Sequence, residues 1–156
     1  MATGVTSQKL ASSLKVKAFD HDPGATTAIV TSPDGGTTQR WEAMALFETF
    51  GVIAKPTVVG GNGITLLEIV AATDSAGTDV TVVLAHAATV ANSLDEYVWL
   101  EVTAAQVKEV GDAAGKAFTH VAARLTMATG TDEASVVYIF GGPKFAQLNL
   151  TATNSN

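Results

Sequence analysis

The sequence of 156 residues contains no cysteine and is poor in charged and aromatic residues. The absence of cysteine excludes disulfides, thiolate chemistry and cysteine-based zinc sites. Charged residues make up 15% of the chain, compared with about a quarter in an average domain. A surface with so little charge favours burial within an assembly, although the net charge of −6 opposes nonspecific aggregation.

Positive charge is especially scarce, because only nine Lys and Arg residues are present and they are scattered along the chain. Binding to nucleic acid requires clustered Lys and Arg that neutralise phosphates, so this pattern disfavours it. No apolar run reaches the roughly 18 residues of a membrane-spanning helix, and the N-terminal sequence MATGVTSQKLASSLKVKAF lacks the apolar core of a signal peptide. We therefore expect no nucleic-acid partner, no membrane segment, no signal peptide and a protein made in the cytoplasm.

Hydrophobic residues are plentiful, at 47%, and most are Ala, Val, Ile and Leu beside abundant Thr and Gly. This composition is typical of β-structure, and a chain of this length forms one domain around a single core. We predict a flexible N-terminal arm over residues 1–12, a single β-sandwich domain over residues 13–150 and a polar tail over residues 151–156.

The fold prediction starts from the stretch GITLLEIVAATDSAGTDVTVVLAHA, residues 63–87. Residues 64–73 and 78–86 are rich in β-branched side chains, and the polar, glycine-bearing segment between them supplies a turn, which predicts a β-hairpin. Both faces of the first arm are apolar, with Leu66 on one face and Ile69 on the other. We therefore expect this arm inside a sheet with cover on both sides.

Alternation of apolar and polar residues predicts the other strands. They cover residues 14–19, 26–32, 37–47, 96–102, 118–128, 134–140 and 145–150. Residues 37–47 fit either a strand or a helix, and we favour the strand because alternate residues from Trp41 to Phe47 share one parity. Proline and glycine predict a loop over residues 50–63, with room for a short edge segment before the central hairpin, and a break at residues 141–143. Residues 87–95 are predicted to form a polar connector. A turn at residues 130–133 joins its flanking strands into a second hairpin.

One helix is predicted between residues 103 and 110. Thr103 and Gln106 have the spacing of a capping box, helix-forming residues follow, and Gly111 is the expected stop. Eight or nine evenly spaced strands with one short helix indicate an all-β fold. We predict an antiparallel β-sandwich with jelly-roll connections.

The histidines offer little for catalysis or metal binding. Consecutive strand residues point to opposite faces, so at most two of Asp20, His21 and Asp22 reach one ion, and a turn role is favoured there. His86 ends an arm of the central hairpin, where a rim position is favoured because no Ser or Asp is placed to complete a catalytic triad. The glycine clusters match no phosphate-binding motif. We predict no catalytic residue, no metal site and no cofactor.

Five residues are candidates for an interaction surface: Tyr97, Trp99, Glu101, His120 and Arg124. Tyr97 and Trp99 alternate with an aliphatic face, so they mark either a contact site or the core of a second sheet. His120 and Arg124 share a strand face and belong either to a solvated or subunit-facing surface, which we favour, or to a polar cluster with Glu101 or Tyr97 on a neighbouring strand.

The succession YVWLEVTAAQVKEVGDA and then THVAARLTMATGTDEASVVYIFGGPKFAQ resembles the C-terminal half of small jelly-roll cement or decoration proteins of tailed bacteriophages. The features that carry the resemblance are a strand ending at Leu100 and Glu101, a helical turn capped by Thr103, and a long hairpin closed by residues 130–133. It covers residues 60–148, and the N-terminal third has no counterpart. The resemblance implies a homo-oligomer, a trimer or dimer, on the capsid surface of a virion, with arms and loops on the major capsid protein and no catalytic residues.

Three functions are compared on this basis. The leading hypothesis is a noncatalytic virion structural protein that stabilises a phage capsid. The alternative is a carbohydrate-binding jelly roll in which Trp41, Tyr97 or Trp99 stacks on sugar rings. A third class, a small enzyme on the same fold, requires His86 and His120 to converge on a metal ion.

Overall fold

The computed structural model describes residues 14–21, 27–29 and 39–143, which form two antiparallel sheets packed face to face. The strands of the first sheet, in spatial order, are β1 (Leu14–His21), β9 (Glu133–Pro143), β4 (Phe47–Val58) and β7 (Val98–Thr103). Those of the second sheet are β2 (Thr27–Ile29), β8 (His120–Met127), β5 (Ile64–Ala72) and β6 (Thr81–Ala91), while β3 (Glu42–Ala43) also pairs with β8.

Strand pairing is nested along the chain. β1 pairs with β9, β2 with β8, β4 with β7, and β5 with β6, all antiparallel. Nested pairs of this kind arise when one long hairpin is folded across itself into two sheets, which is the jelly-roll arrangement. The predicted all-β sandwich with jelly-roll connections and one helix is confirmed.

The central hairpin is formed by β5 and β6, as predicted, and β5 also pairs with β8 on its other side. Leu67 and Ile69 of β5 lie fully buried between the sheets. On the opposite face of β5, Val70 and Ala72 are buried beneath Trp41. The expected cover on both sides of this strand is therefore present, although Leu66 is only half-buried.

Aromatic rings fill one part of the core between the sheets. Phe50 lies between Tyr138 and Phe140, with ring centroids 5.0 Å and 4.9 Å away, and Phe19 meets Tyr138 at 4.9 Å. Edge-to-face and tilted contacts at these distances stabilise a core beyond the area that they bury. Phe47 also contacts Phe140, with ring centroids 5.0 Å apart. The cluster therefore contains four of the six phenylalanines in the sequence.

The edge strand β1 places its lysines inward and its aliphatic residues outward. Lys15 Nζ lies 3.1 Å from the Glu42 carboxylate, and Lys17 donates to the same carboxylate. Burial opposes ionisation of Glu42, but the hydrogen bonds from Lys17 and Lys15 outweigh it and hold the pKa of Glu42 below its usual value. Because Glu42 lies in β3, the ion pairs join the two sheets, and inward-pointing charge also discourages pairing of another strand with this edge.

The loop predicted over residues 50–63 is wrong, because most of it forms β4 in the interior of the first sheet. Pro56 is compatible with this position since β7 pairs with β4 only as far as Ala54. Beyond that point β4 has a single described neighbour, β9, and the register shifts between Pro56 and Val58. A residue without an amide hydrogen is tolerated where one side of the strand is unpaired.

The strand predicted over residues 37–47 is also wrong in large part. Residues 37 and 38 lie outside the described residues, only Glu42–Ala43 form a short strand, and a turn follows in which Phe47 N donates to Met44 O at 3.1 Å. Met44 N in turn donates to Thr119 O at 2.9 Å, so backbone contacts override the alternation of Ala and aromatic residues. The predicted strand at residues 145–150, the arm at 1–12 and the tail at 151–156 lie outside the described residues.

Two other strand boundaries and one strand connection differ from the prediction. β6 continues to Ala91 through the supposed connector, and β9 continues through residues 141–143, where a break was predicted. The second hairpin does not form, because β8 and β9 lie in different sheets. The turn at residues 130–133 instead crosses between the sheets and is held by Asp132, whose carboxylate accepts from Gly61 N at 2.9 Å and Thr129 N at 3.1 Å.

The helix α1 covers Ala104–Ala114 and has the predicted capping box at its start. Gln106 N donates to Thr103 Oγ1 at 3.2 Å, and Thr103 N donates to Gln106 Oε1 at 2.8 Å. The predicted stop at Gly111 is wrong, because the left-handed residue that ends the helix is Gly115. Gly111 serves close packing instead, since a Cβ there would lie 2.6 Å from the carbonyl oxygen of Lys116. In the described part of the chain, no helix is long and apolar enough to cross a membrane.

Candidate interaction face

The outward side of the first sheet is an apolar surface, which we call the open face. Strand alternation places it opposite the core, because Val136, Tyr138 and Phe140 of β9 point inward and the residues between them point outward. Its centre is apolar, with polar residues toward both ends of the strands, and its members are Leu14, Val16, Ala18, Asp20, Thr49, Gly51, Ile53, Lys55, Tyr97, Trp99, Glu101, Thr103, Ser135, Val137, Ile139 and Gly141.

The pairing register of the four strands aligns the outward side chains of the open face in rows that run across the sheet. Ala18, Val137, Ile53 and Trp99 are successive cross-strand partners from β1 to β7. The whole row is apolar, and its last member, Trp99, has 60% of its surface exposed. Exposed indole on an otherwise aliphatic sheet is a feature of protein contact sites, where Trp provides large anchors.

The next row is Val16, Ile139, Gly51 and Glu101. Gly51 has no side chain in the middle of this row, so the face contains a depression of about 210 Å³ beside Ile139 and Trp99. Glu101 lies at the edge of the sheet, away from the apolar centre. The open face therefore has relief: Trp99 stands high at the β7 end of the first row, Ala18 is small at the β1 end of that row, and the second row is indented at Gly51.

Tyr97 bounds a second and shallower depression of about 480 Å³ on the same face. The other residues that line it are Ile53, Lys55, Ser135 and Val137. Tyr97 is 62% exposed and Val16, across the sheet, is 59% exposed. Of the two predicted alternatives for Tyr97 and Trp99, the core of a second sheet is excluded and the exposed position is observed.

The outward side of the second sheet is covered over the same region of the fold. The indole of Trp41 lies against Val70, Ala72 and Ala122, and its Nε1 donates to Gln39 Oε1 at 2.9 Å. The turn after β5 closes over the ring, since a Cβ on Gly77 would lie 2.7 Å from Trp41 Nε1. Among the described residues, Trp41 and this turn thus cover part of the outward side of the second sheet, whereas Tyr97 and Trp99 on the open face stay exposed.

The outward side of the second sheet also carries a hydrogen-bonded pair of charged side chains. Arg124 Nε donates to the Glu68 carboxylate at 2.6 Å between the neighbouring strands β8 and β5. This hydrogen bond raises the pKa of Arg124 against the opposing effect of burial. His120, on the same strand, lies with Nδ1 2.8 Å from Thr119 Oγ1.

The predicted five-residue surface is therefore divided between two sides of the molecule. Tyr97, Trp99 and Glu101 belong to the open face, whereas His120 and Arg124 lie on β8 in the other sheet. The alternative of a polar cluster joining the two groups is wrong, because β7 and β8 are not neighbours. The interaction role of the first three residues stays a prediction.

The remaining candidates do not converge. Asp20 and His21 pair with Ser135 and Ala134 as part of β1, so the predicted turn role is wrong for both, and His21 is buried. His86 lies exposed on β6 opposite Leu67, and Asp22 lies outside the described residues. Within residues 14–21, 27–29 and 39–143, no three His, Asp or Glu side chains lie close enough together to hold a metal ion.

Sequence reasoning missed much of the apolar area of the open face. Val16, Ile53, Val137 and Ile139 were not singled out, although the continuous apolar run of β9 is the pattern of a strand with both faces covered. Such a run without a covering element on one side is a sign of an interface. Ile53 could not be found in this way, because Pro56 nearby indicated a loop.

Comparison with known proteins gives weak likenesses in fold. No protein-family model matches the chain, and no curated protein matches it in sequence. Among solved structures, a chain of infectious bursal disease virus, Gt strain, is 11% identical with a TM-score of 0.36, covering 87% of this chain and 33% of that one. A chain of T=1 particles derived from infectious bursal virus is 13% identical with a TM-score of 0.33, covering 85% and 30%.

A chain of sacbrood virus of honeybee is 11% identical with a TM-score of 0.35, covering 99% of this chain and 95% of that one. This chain spans about a third of the length of the infectious bursal disease virus chains that it matches. All three similar chains come from virus structures. With TM-scores this low, we draw no functional conclusion from the likeness.

Proposed function

We propose that this chain is a noncatalytic structural protein of a virion, a cement or decoration protein that binds and stabilises a phage capsid as an oligomer. The observation that carries the proposal is the open face, which presents Trp99, Tyr97 and an apolar row while the other sheet is covered. Contiguous exposed apolar surface marks contact sites in soluble proteins. The resemblance of residues 60–148 to the decoration proteins of tailed phages gives this contact its setting, the capsid.

Two kinds of contact follow from the proposal. The folded domain contacts protein through its open face, and the arm at residues 1–12 contacts the major capsid protein together with loops. The sequence of the arm is rich in small and polar residues and contains no aromatic residue, so we assign it to binding and not to the folded core. Its deletion should therefore weaken attachment without weakening the fold.

The test is to produce the tagged chain during infection by the virus that encodes it and to separate particles on a density gradient. We expect the chain in the DNA-filled particle fraction at a fixed ratio to the major capsid protein. A chain lacking residues 1–12 should keep its thermal midpoint and move to the unbound fraction. Recovery of the intact chain only in the unbound fraction contradicts the proposal.

Carbohydrate binding is the second candidate, favoured by the exposed rings of Tyr97 and Trp99 beside a shallow depression. Trp41 does not contribute to it, because its ring is buried against β5 and β8. A glycan array probed with the chain and with Trp99→Ala tests this function. Binding of a defined sugar that is lost in Trp99→Ala moves carbohydrate recognition to first place.

A further inference from the structure

We infer that the open face binds the open face of a second copy of this chain, sheet packed on sheet about a twofold axis parallel to the strands. The inference names the partner of the same face on which the proposed function rests. It follows from the relief of that face, which is complementary to itself in this one orientation.

A twofold axis along the strands, between β9 and β4, places β1 of one copy over β7 of the other. Ala18 and Trp99 belong to the same row, at its two ends. The tall indole of each copy is therefore placed over the low Ala18 of the other. Two sheets packed face to face lie about 10 Å apart, which requires large side chains to be matched by small ones.

The second row matches in the same way. Rotation about the same axis places Ile139 of one copy over Gly51 of the other, where the depression of about 210 Å³ lies. Glu101 of one copy is placed over Val16 of the other and remains at the rim, about three strand spacings from the other Glu101. The charged residues of the face are thus kept out of its apolar centre.

The area of the face sets the strength of the contact. The face is four strands wide, at about 4.8 Å per strand, and three rows long, at about 6.7 Å or two residues per row. Its footprint on each copy is therefore about 19 Å by 20 Å. Counted over both copies this footprint is about 760 Å², which is below the about 1,200 Å² of a standard specific interface, so we expect a weak dimer that dissociates in the micromolar range.

The first test is analytical ultracentrifugation of the full chain from about 1 µM to about 100 µM, the range in which a small interface dissociates. We expect twice the monomer mass at the upper end. Ile53→Lys, in the middle of the row, should give a monomer throughout. The control is Val82→Lys, at a 38% exposed valine of β6 in the other sheet, and it should leave the dimer intact.

The second test measures coupling between Ala18 and Trp99. Within one chain they are about 14 Å apart across three strand spacings, beyond the distance at which single substitutions couple. Ala18→Trp and Trp99→Ala should each raise the dissociation constant of the dimer about tenfold or more. The dissociation constant of the double variant should be at least about threefold lower than additive effects of the two substitutions would give. Such coupling arises only across the interface.

A monomer at every concentration, a dimer that Ile53→Lys leaves intact, or additive effects of the two substitutions would each overturn the inference. These outcomes are separate from the failure of the proposed function. A monomeric chain that still occurs in capsid particles contradicts the twofold contact alone, whereas a dimer that never occurs in particles contradicts the capsid role alone.

Discussion

The hydroxyl of Tyr138 accepts a hydrogen bond of 2.8 Å from the backbone N–H of Ala123, across the core from one sheet to the other. Among the described residues, β2 pairs with β8 as far as Arg124 and β3 pairs with it from Val121, so Ala123 lies in the gap between two partners. The tyrosine therefore satisfies a backbone donor that the sheet leaves unpaired. Tyr138 is fully buried, and burial raises the pKa of its hydroxyl.

Tyr138→Phe should lower the free energy of unfolding by about 1–3 kcal/mol, because it leaves the buried N–H of Ala123 without an acceptor. Denaturation in urea at neutral pH measures the change. The control is Tyr97→Phe, which removes the same hydroxyl at an exposed position and should alter stability by less than about 0.5 kcal/mol. Equal effects of the two substitutions contradict the role assigned to Tyr138.

Asp132 should make stability depend on pH in the acid range. Burial opposes ionisation of its carboxyl group, but hydrogen bonds from Gly61, Gly60 and Thr129 outweigh it and lower its pKa. Stabilisation by a carboxylate with a lowered pKa is complete above the pKa of the unfolded aspartate, about 3.9, and is lost as pH falls through the lower folded value. We therefore expect Asp132→Asn to be less stable than wild type at pH 7.

The difference in unfolding free energy between wild type and Asp132→Asn should stay constant from about pH 7 to about pH 5 and decrease below about pH 4. Urea denaturation at successive pH values measures it. Asp95→Asn, at an exposed position in the connector after β6, is the matched control and should show no such difference. A difference that persists unchanged at about pH 3 indicates that the carboxylate charge has no part in holding the loop.

Ile69 and Leu66, which the sequence places on opposite faces of one strand, should respond differently to truncation. Ile69 is fully buried between the sheets, so Ile69→Ala should cost about 2–5 kcal/mol. Leu66 is half-buried, and Leu66→Ala should cost less than half as much. Chemical denaturation of both variants measures the costs. Losses below about 1 kcal/mol at Ile69 would place the strand outside the core.

Thr103→Ala should cost about 0.5–2 kcal/mol, because its side chain caps the helix by accepting from Gln106 N. The same loss is expected from thermal and chemical denaturation. Thr57→Ala, at an exposed position of β4, makes the same chemical change away from a helix and should be close to neutral. A similar loss in both variants argues against a capping contribution.

The sequence by itself determined the elements whose signals are local. The hairpin of β5 and β6, the alternation of β7 and the capping box at Thr103 all follow from side-chain period, turn residues and capping chemistry within a few residues. Eight or nine predicted strands at fairly even spacing with one short helix then indicated the sandwich. The alternation of β7 placed Trp99 on the face opposite Val98 and Val102, but it left open whether that face is exposed or packs in the core of a second sheet.

Only the tertiary structure decided which strands share a sheet. Pro56 indicated a loop, yet β4 is interior, because β7 ends its pairing before that residue and no amide hydrogen is needed there. The turn at residues 130–133 indicated a hairpin, yet it crosses between sheets, where Asp132 holds it against a glycine loop about 70 positions away in the chain.

The open face was decided in the same way. Ala18, Ile53, Val137 and Trp99 come from four separate segments, and a single row forms only because pairing between distant strands fixes their register. Strand alternation gives each side chain a face, but it does not reveal whether another element covers that face. Trp41 covers one sheet and nothing in the described residues covers the other, and that difference depends on long-range packing which no local pattern contains.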